Sequence, residues 1–201
     1  MTRDEAVNRL SEIKGIELSE LANSYGITIY KNGKLNKGWG GMVAERVLGL
    51  KTNSAQSADF GDWELKTFPV HYLKNGNLSP KETMAITMIN PDDVLKAEFE
   101  ESHLYEKLRK LVVAVIVYDK YNVESSWIYK VAKFDIENPE IFNQIKDDYN
   151  EVRSAIRNCG FQSLTGKMGV YCQPRTKGPG HGSTSRAFYL RIPFLKKHFI
   201  E

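Results

Sequence analysis

The chain has 201 residues, 41% of them apolar and 26% charged, and its 28 Lys/Arg against 25 Asp/Glu leave a net charge of only +3. That is an ordinary globular composition, and the absence of any apolar run near the roughly 20 residues of a membrane helix excludes a membrane-spanning helix. The opening MTRDEAVNRL lacks the apolar centre of a secretory signal. Cys159 and Cys172 show neither CxxC nor Cys/His metal spacing. A single cytoplasmic domain spanning residues 1–201 is therefore expected, with two reduced thiols and no zinc or disulfide chemistry.

In chain order, the first helix starts at a capping box, Thr2 with Glu5 three residues on, and stops before Gly15. A second, short helix is predicted over Ser19 to Tyr25, ended by Gly26. Residues 27–36 read as a β-run broken by Asn32-Gly33, a hairpin signal. A third helix is predicted from Gly40 to Leu48, with Met42, Val43, Val47 and Leu48 on its apolar side. Strands are expected near 56–60, 63–70 and 82–89, and a charged helical stretch from Asp92 to Lys110. LVVAVIVY (111–118) has the β-branched continuity of a strand buried on both faces. Over 126–134 the alternation of Trp127, Tyr129 and Val131 with polar neighbours predicts a half-buried strand. A helix from Pro139 to Asn158 has proline in its first turn and Gly160 beyond its end. A strand near 168–173, a Gly/Pro-rich loop at 174–185, a strand at 187–191 and a last helix opened by Pro193 complete the chain. The fold class is α/β, a mixed sheet flanked by helices.

Charge is unevenly distributed. Asp135 to Glu151 holds six acids and one lysine, whereas Val152 to Ile200 holds nine Lys/Arg and no acid. The second stretch suits a phosphate backbone and equally a solvated basic face.

The chemistry concentrates in Asp59-Phe60-Gly61-Asp62-Trp63-Glu64-Leu65-Lys66-Thr67. With Gly61-Asp62 as a two-residue turn, Phe60 pairs with Trp63 and Asp59 lies opposite Glu64, their Cβ atoms roughly 5 Å apart. Strand alternation puts Glu64 and Lys66 on the face shared with Asp59, and Phe60, Trp63 and Leu65 on the other. Two carboxylates offer hard oxygen ligands for Mg²⁺, and a lysine aimed at developing charge suits phosphodiester hydrolysis. Taken alone, the motif does not separate such a site from a charge cluster on a solvated hairpin. Glu45, in the predicted third helix, supplies another carboxylate for a metal or its water, or else a solvent-exposed one.

Five stretches resemble the MutH mismatch-repair endonucleases and the related GATC-cutting type II restriction enzymes, within the PD-(D/E)XK nuclease superfamily. They are GIELSELANSYG, KGWGGMVAERVLG, DFGDWELKTFPV, SHLYEKLRKLVVAVI, and QPRTKG followed by RAFYL, in the family's order and across most of the chain. The resemblance implies a restriction-endonuclease-like fold with two lobes around a DNA-binding cleft. It implies Asp59 and Glu64 as Mg²⁺ ligands, with the Leu65 carbonyl a candidate third. It places Lys66 and Lys107 at the scissile phosphate and Glu45 beside the metal. Lys37 and Gly38 of the KGW block would lie at the DNA. Arg175 and Lys177 would read base edges, Arg175 suiting the guanine of GATC, while Arg186 and Tyr189 would approach the DNA from the following strand, Tyr189 near the adenine.

Two departures from the family pattern bear on these assignments. Only four residues separate Asp59 from Glu64, which the hairpin tolerates, and the loop KGPGHGSTS is compact and glycine-rich, which bears on the site recognised. His103, in the Lys107 segment, is a further candidate for phosphate contact, whereas His71, His181 and His198 have no partner pattern.

The expected activity is Mg²⁺-dependent hydrolysis of double-stranded DNA at GATC by a monomer. It takes the form of a mismatch-repair nickase with a MutL-like activator or of an autonomous restriction enzyme. The KGW block and the C-terminal FYL…HF pattern favour the first slightly, and NGNLSPKE resembles the second. The competing class is a catalytically silent DNA-binding module on a nuclease fold, against which the complete acid-acid-lysine set argues. An RNA-binding protein would need clustered exposed aromatics that the chain lacks.

Overall fold

The computed structural model describes residues 1–50, 60–119, 122–178 and 184–201. Helix α1 (Arg3–Glu12) is followed by α2 (Leu18–Ser24), the paired strands β1 (Tyr30–Lys31) and β2 (Lys34–Leu35), and α3 (Trp39–Val47). Strands β3 (Glu64–Tyr72), β4 (Leu78–Pro80) and β5 (Met84–Met88) come next, then the short helices α4 (Pro91–Lys96) and α5 (His103–Leu108). After β6 (Lys110–Val117) and β7 (Trp127–Asp135) runs the long α6 (Pro139–Cys159), and then β8 (Cys172–Thr176), β9 (Arg186–Leu190) and α7 (Ile192–Leu195). The class is α/β with a mixed sheet flanked by helices, as expected.

Local chemistry explains most boundaries. The Thr2 hydroxyl accepts the Glu5 N–H at 3.2 Å and the Glu5 carboxylate accepts the Thr2 N–H at 2.8 Å, completing the capping box. Asn32 and Gly33 both take positive φ, 52° and 71°, which a tight hairpin of this kind demands. Asn138 caps α6 by accepting the Glu140 N–H at 3.0 Å, and Pro139 opens it.

The chain divides into two compact units. The first comprises residues 1–82, 111–134 and 198–201. Its sheet has the order β4-β3-β6-β7, with β3 parallel to β6 from Glu64↔Leu111 to Val70↔Val117 and antiparallel to β4. One face of β3 and β6 (Trp63, Leu65, Val112, Ala114, Ile116) joins a core with Ala6, Leu10, Leu18, Ala22, Trp39 and Val43 of the helices. Each such large apolar side chain contributes about 1.5–3 kcal/mol on burial. On the opposite face Phe68 meets Phe199, which also meets Phe134. Strand β6 is buried on both faces from Leu111 onward, as its composition predicts.

The second unit comprises residues 83–110 and 135–197. Its sheet is antiparallel in the order β5-β9-β8, with an irregularity between Ala85 and Thr87. Phe99 is its aromatic centre, with ring centroids of Tyr105, Phe142 and Tyr149 within 5.4–5.7 Å.

Three expectations are corrected. In β7 the buried residues are Ile128 and Phe134, while Tyr129 is exposed. Ile128 packs into the helical core, with Val131 partly buried against it, and the Ile128 carbonyl accepts the Gly15 N–H, whereas Phe134 meets Phe199. Strand β4, in NGNLSPKE, has no counterpart in the sequence reading. The strand expected near 168–173 starts only at Cys172 and runs to Thr176. The expected strand at 56–60 falls almost wholly outside the described residues.

Candidate active site and nucleic-acid interface

In the first unit, the turn before β3 brings the Phe60 and Trp63 rings face to face, centroids 4.0 Å apart and 3° from parallel. The Phe60 N–H donates to the Trp63 carbonyl at 3.2 Å, and Gly61 supplies the positive φ of 84°. The indole of Trp63 donates to the Met1 carbonyl at 3.1 Å, which fixes the far end of the turn. Glu64 follows at the first position of β3, 3% exposed. Its Oε1 lies 2.6 Å from Nζ of Lys66, two residues on and on the same face. Alternation thus sends Trp63 and Leu65 into the core and the ion pair to the other side, as the spacing predicts. Asp59, the remaining member of the set, lies outside the described residues.

Helix α3 reaches the sheet through its glycines. A Cβ on Gly41 would stand 3.0 Å from Oγ1 of Thr67, and one on Gly40 would stand 3.1 Å from Cδ1 of Ile116. The GWGG sequence is therefore a packing device that seats α3 on β3 and β6. It carries Glu45, half-buried, in the second turn. Lys37 and Gly38, at the exposed start of the helix, face solvent.

The second unit holds Lys107, His103, Arg175, Lys177, Arg186 and Tyr189. Ser102 caps α5, its hydroxyl accepting the Tyr105 N–H at 3.2 Å, and Lys107 sits in the last turn, 7% exposed. A lysine so little exposed must meet charge or acceptors with its ammonium. His103 is exposed, 3.4 Å from Glu106. On β8, Arg175 is exposed and donates to Thr83 Oγ1 at 3.2 Å. The Lys177 N–H closes the β8–β9 pair on the Ser185 carbonyl at 3.0 Å. Arg186 donates to the carbonyls of Thr184 and Ser185, and Tyr189, half-buried, stands between Gln173 and Ala85 in the ladder.

Among the described residues no three His, Cys, Asp or Glu side chains gather as a metal site. What the chain does offer a hard cation is the buried Glu64 carboxylate beside a lysine, with the Leu65 position next to it in the ladder. That donor chemistry fits a hard divalent cation.

The family model "DNA mismatch repair enzyme MutH" matches residues 48–148. The MutH mismatch repair protein of Shewanella woodyi is 32% identical over 97% of this chain and 90% of its own length. The chain belongs to the MutH family of DNA endonucleases. Another MutH, from Pasteurella multocida, is 27% identical over 92% of the chain and 82% of its own length. The type II restriction enzyme Sau3AI of Staphylococcus aureus is 28% identical over 99% of this chain but only 40% of its own length.

This MutH-family chain also buries a carboxylate that its sequence does not single out. Asp148 counted there only as one acid of the 135–151 run. In the structure it is 2% exposed and lies on the apolar stripe of α6 made by Ile141, Ile145, Val152 and Ile156. An acid on such a stripe was the available signal, since a buried carboxylate must find donors.

Proposed function

We propose that this chain is a Mg²⁺-dependent endonuclease, acting as a single domain and a monomer, that hydrolyses phosphodiester bonds of double-stranded DNA at GATC. The observation that carries the reading is the buried Glu64 carboxylate held 2.6 Å from the Lys66 ammonium at the head of β3. Glu64 with Asp59, and the Leu65 carbonyl, would hold the metal, which when bound lowers the pKa of a water and neutralises charge on the phosphate. Lys66 is already held by Glu64 and would donate from there to the phosphate oxygen on which charge develops. Lys107 would supply a second cation to that phosphate, and Glu45 would accept from the water that Glu64 and Asp59 leave free. Lys37 and Gly38 would meet the backbone. Arg175, with Lys177, would read base edges, and Arg186 and Tyr189 would lie against the same duplex.

In this reading the chain is a cytoplasmic nickase of the unmethylated strand, activated by a MutL-like partner. A second reading, an autonomous restriction enzyme, is favoured by the likeness to Sau3AI over nearly the whole chain. Both are tested by incubating the protein with Mg²⁺ and supercoiled plasmid, unmethylated or adenine-methylated at GATC, with and without a MutL-type activator. Nicked circles support the repair reading and linear fragments the restriction reading. No cleavage of any DNA in any arm rejects both.

A further inference from the structure

Three consecutive backbone N–H groups converge on one buried carboxylate. Val170 donates to Oδ1 of Asp148 at 2.7 Å, and Tyr171 and Cys172 donate to Oδ2 at 2.8 and 2.7 Å. Gln144 completes the set, its amide donating to Oδ1 at 3.0 Å. One turn along α6, Glu151 accepts the Gly169 N–H at 2.9 Å. From the other side the Arg191 guanidinium donates to the carbonyls of Gly166 and Met168, both at 2.9 Å. Carboxylates thus take the four N–H groups of 169–172 and a guanidinium takes the Gly166 and Met168 carbonyls just before them. Bonds of this charge-assisted kind are roughly twice as strong as neutral ones.

The clasped segment ends where β8 begins. Among the described residues, strand β8 lies at the sheet edge and pairs with one strand, β9. The outer half of β8, Arg175 and Thr176, is exposed and has no burial to hold its alignment, and a slip by one residue turns every side chain of a strand to the opposite face. Arg175 lies three residues beyond Cys172, paired with Ala187. A slip would aim its guanidinium away from the face it now occupies beside Thr83. The Asp148 contacts forbid the slip, because a carboxylate serving three successive N–H groups fits one alignment only.

We propose that Asp148, supported by Glu151 and Arg191, is the positioning residue that fixes the register of β8 and thereby the site preference of the endonuclease. This rests on the reading in which Arg175 contacts base edges. The test uses the full chain with Mg²⁺, and the MutL-type activator where needed, on short duplexes holding GATC or the same site with one base pair changed. The readout is the ratio of the two cleavage rates, which a merely structural loss lowers on both sides and leaves unmoved. Asp148→Asn puts an NH₂ donor among the three N–H donors and is expected to lower the ratio about 10-fold or more. Added to Arg175→Ala it should lower the ratio no further, since both act through the same guanidinium. Arg191→Gln, which spares α6, should lower the ratio in the same direction and serves if Asp148→Asn does not fold. A normal ratio in a folded Asp148→Asn, or in Arg191→Gln where Asp148→Asn does not fold, overturns the proposal while Arg175→Ala still lowers it. An unchanged ratio for Arg175→Ala itself overturns the base-reading role of Arg175, and the proposal with it.

Discussion

The Lys66 ammonium and the Glu64 carboxylate, two residues apart on β3, form an ion pair of 2.6 Å in which the acid is almost wholly buried and the lysine is partly open to solvent. The acid is fixed and the base is reachable, which suits a group that must meet a phosphate. Lys66→Ala is expected to lower the cleavage rate by about 10²–10³-fold while DNA binding persists in a gel-shift assay. Normal cutting by that variant would remove this pair from the active site.

Gly169 has φ of 73°, and a Cβ there would sit 1.8 Å from the Cys172 carbonyl oxygen. No rotamer change relieves a clash with backbone. Gly169→Ala should therefore cost at least about 2 kcal/mol, a fall in Tm of roughly 4–8 °C for a chain of this size. Differential scanning calorimetry measures it directly, and an unchanged Tm would contradict the described course of this segment.

The contact between Gly41 and Thr67 predicts a sign reversal. Gly→Ala inside a helix ordinarily stabilises by roughly 0.5–1 kcal/mol, but here the new methyl would lie 3.0 Å from Oγ1 of Thr67. Gly41→Ala alone should be neutral or destabilising, and it should become stabilising once Thr67→Ala removes that oxygen. Chemical denaturation of the four proteins of this cycle reads the coupling.

The two thiols should behave differently. Burial pushes the Cys172 thiol well above its ordinary value, and the Asp148 carboxylate adds to the shift. Cys159 is exposed. One thiol should react with a chromogenic disulfide at pH 8 in the native protein, and two in denaturant. Since the folded state keeps the Cys172 proton that the unfolded chain loses, stability should be fully present below about pH 9, the ordinary thiol value. It should decline as pH rises from there, by up to about 1.4 kcal/mol per pH unit for one proton. A Cys172→Ser variant should lack that decline.

Most of the scaffold was legible because its signals are local. Capping at Thr2, the Asn32-Gly33 turn, the apolar run of β6 and the Pro139 start of α6 each depend on neighbours within a few residues. The alternation of Trp63, Glu64, Leu65 and Lys66 was equally plain, so the side of β3 that carries the ion pair could be read directly. What escaped depends on partners far along the chain. The burial of Ile128 rather than Tyr129 is decided by the N-terminal helices, more than a hundred residues earlier. The late start of β8 goes with Asp148, which takes the N–H groups of Val170 and Tyr171 just before the strand begins. The role of the GWGG glycines likewise needed the opposite surface, Thr67 and Ile116, before it had a physical meaning.

Phe199 has a further consequence, for the order of events during synthesis. It is buried against Phe68 and Phe134, so the first unit draws its last core side chain from residues made after the whole of the second unit. The parallel ladder from Glu64 to Leu111 likewise waits for the intervening segment. Pairings of such long sequence separation form slowly. While the chain emerges, β3 and its ion pair have no completed sheet to rest on, and nuclease competence should arrive late and all at once rather than accumulate with length.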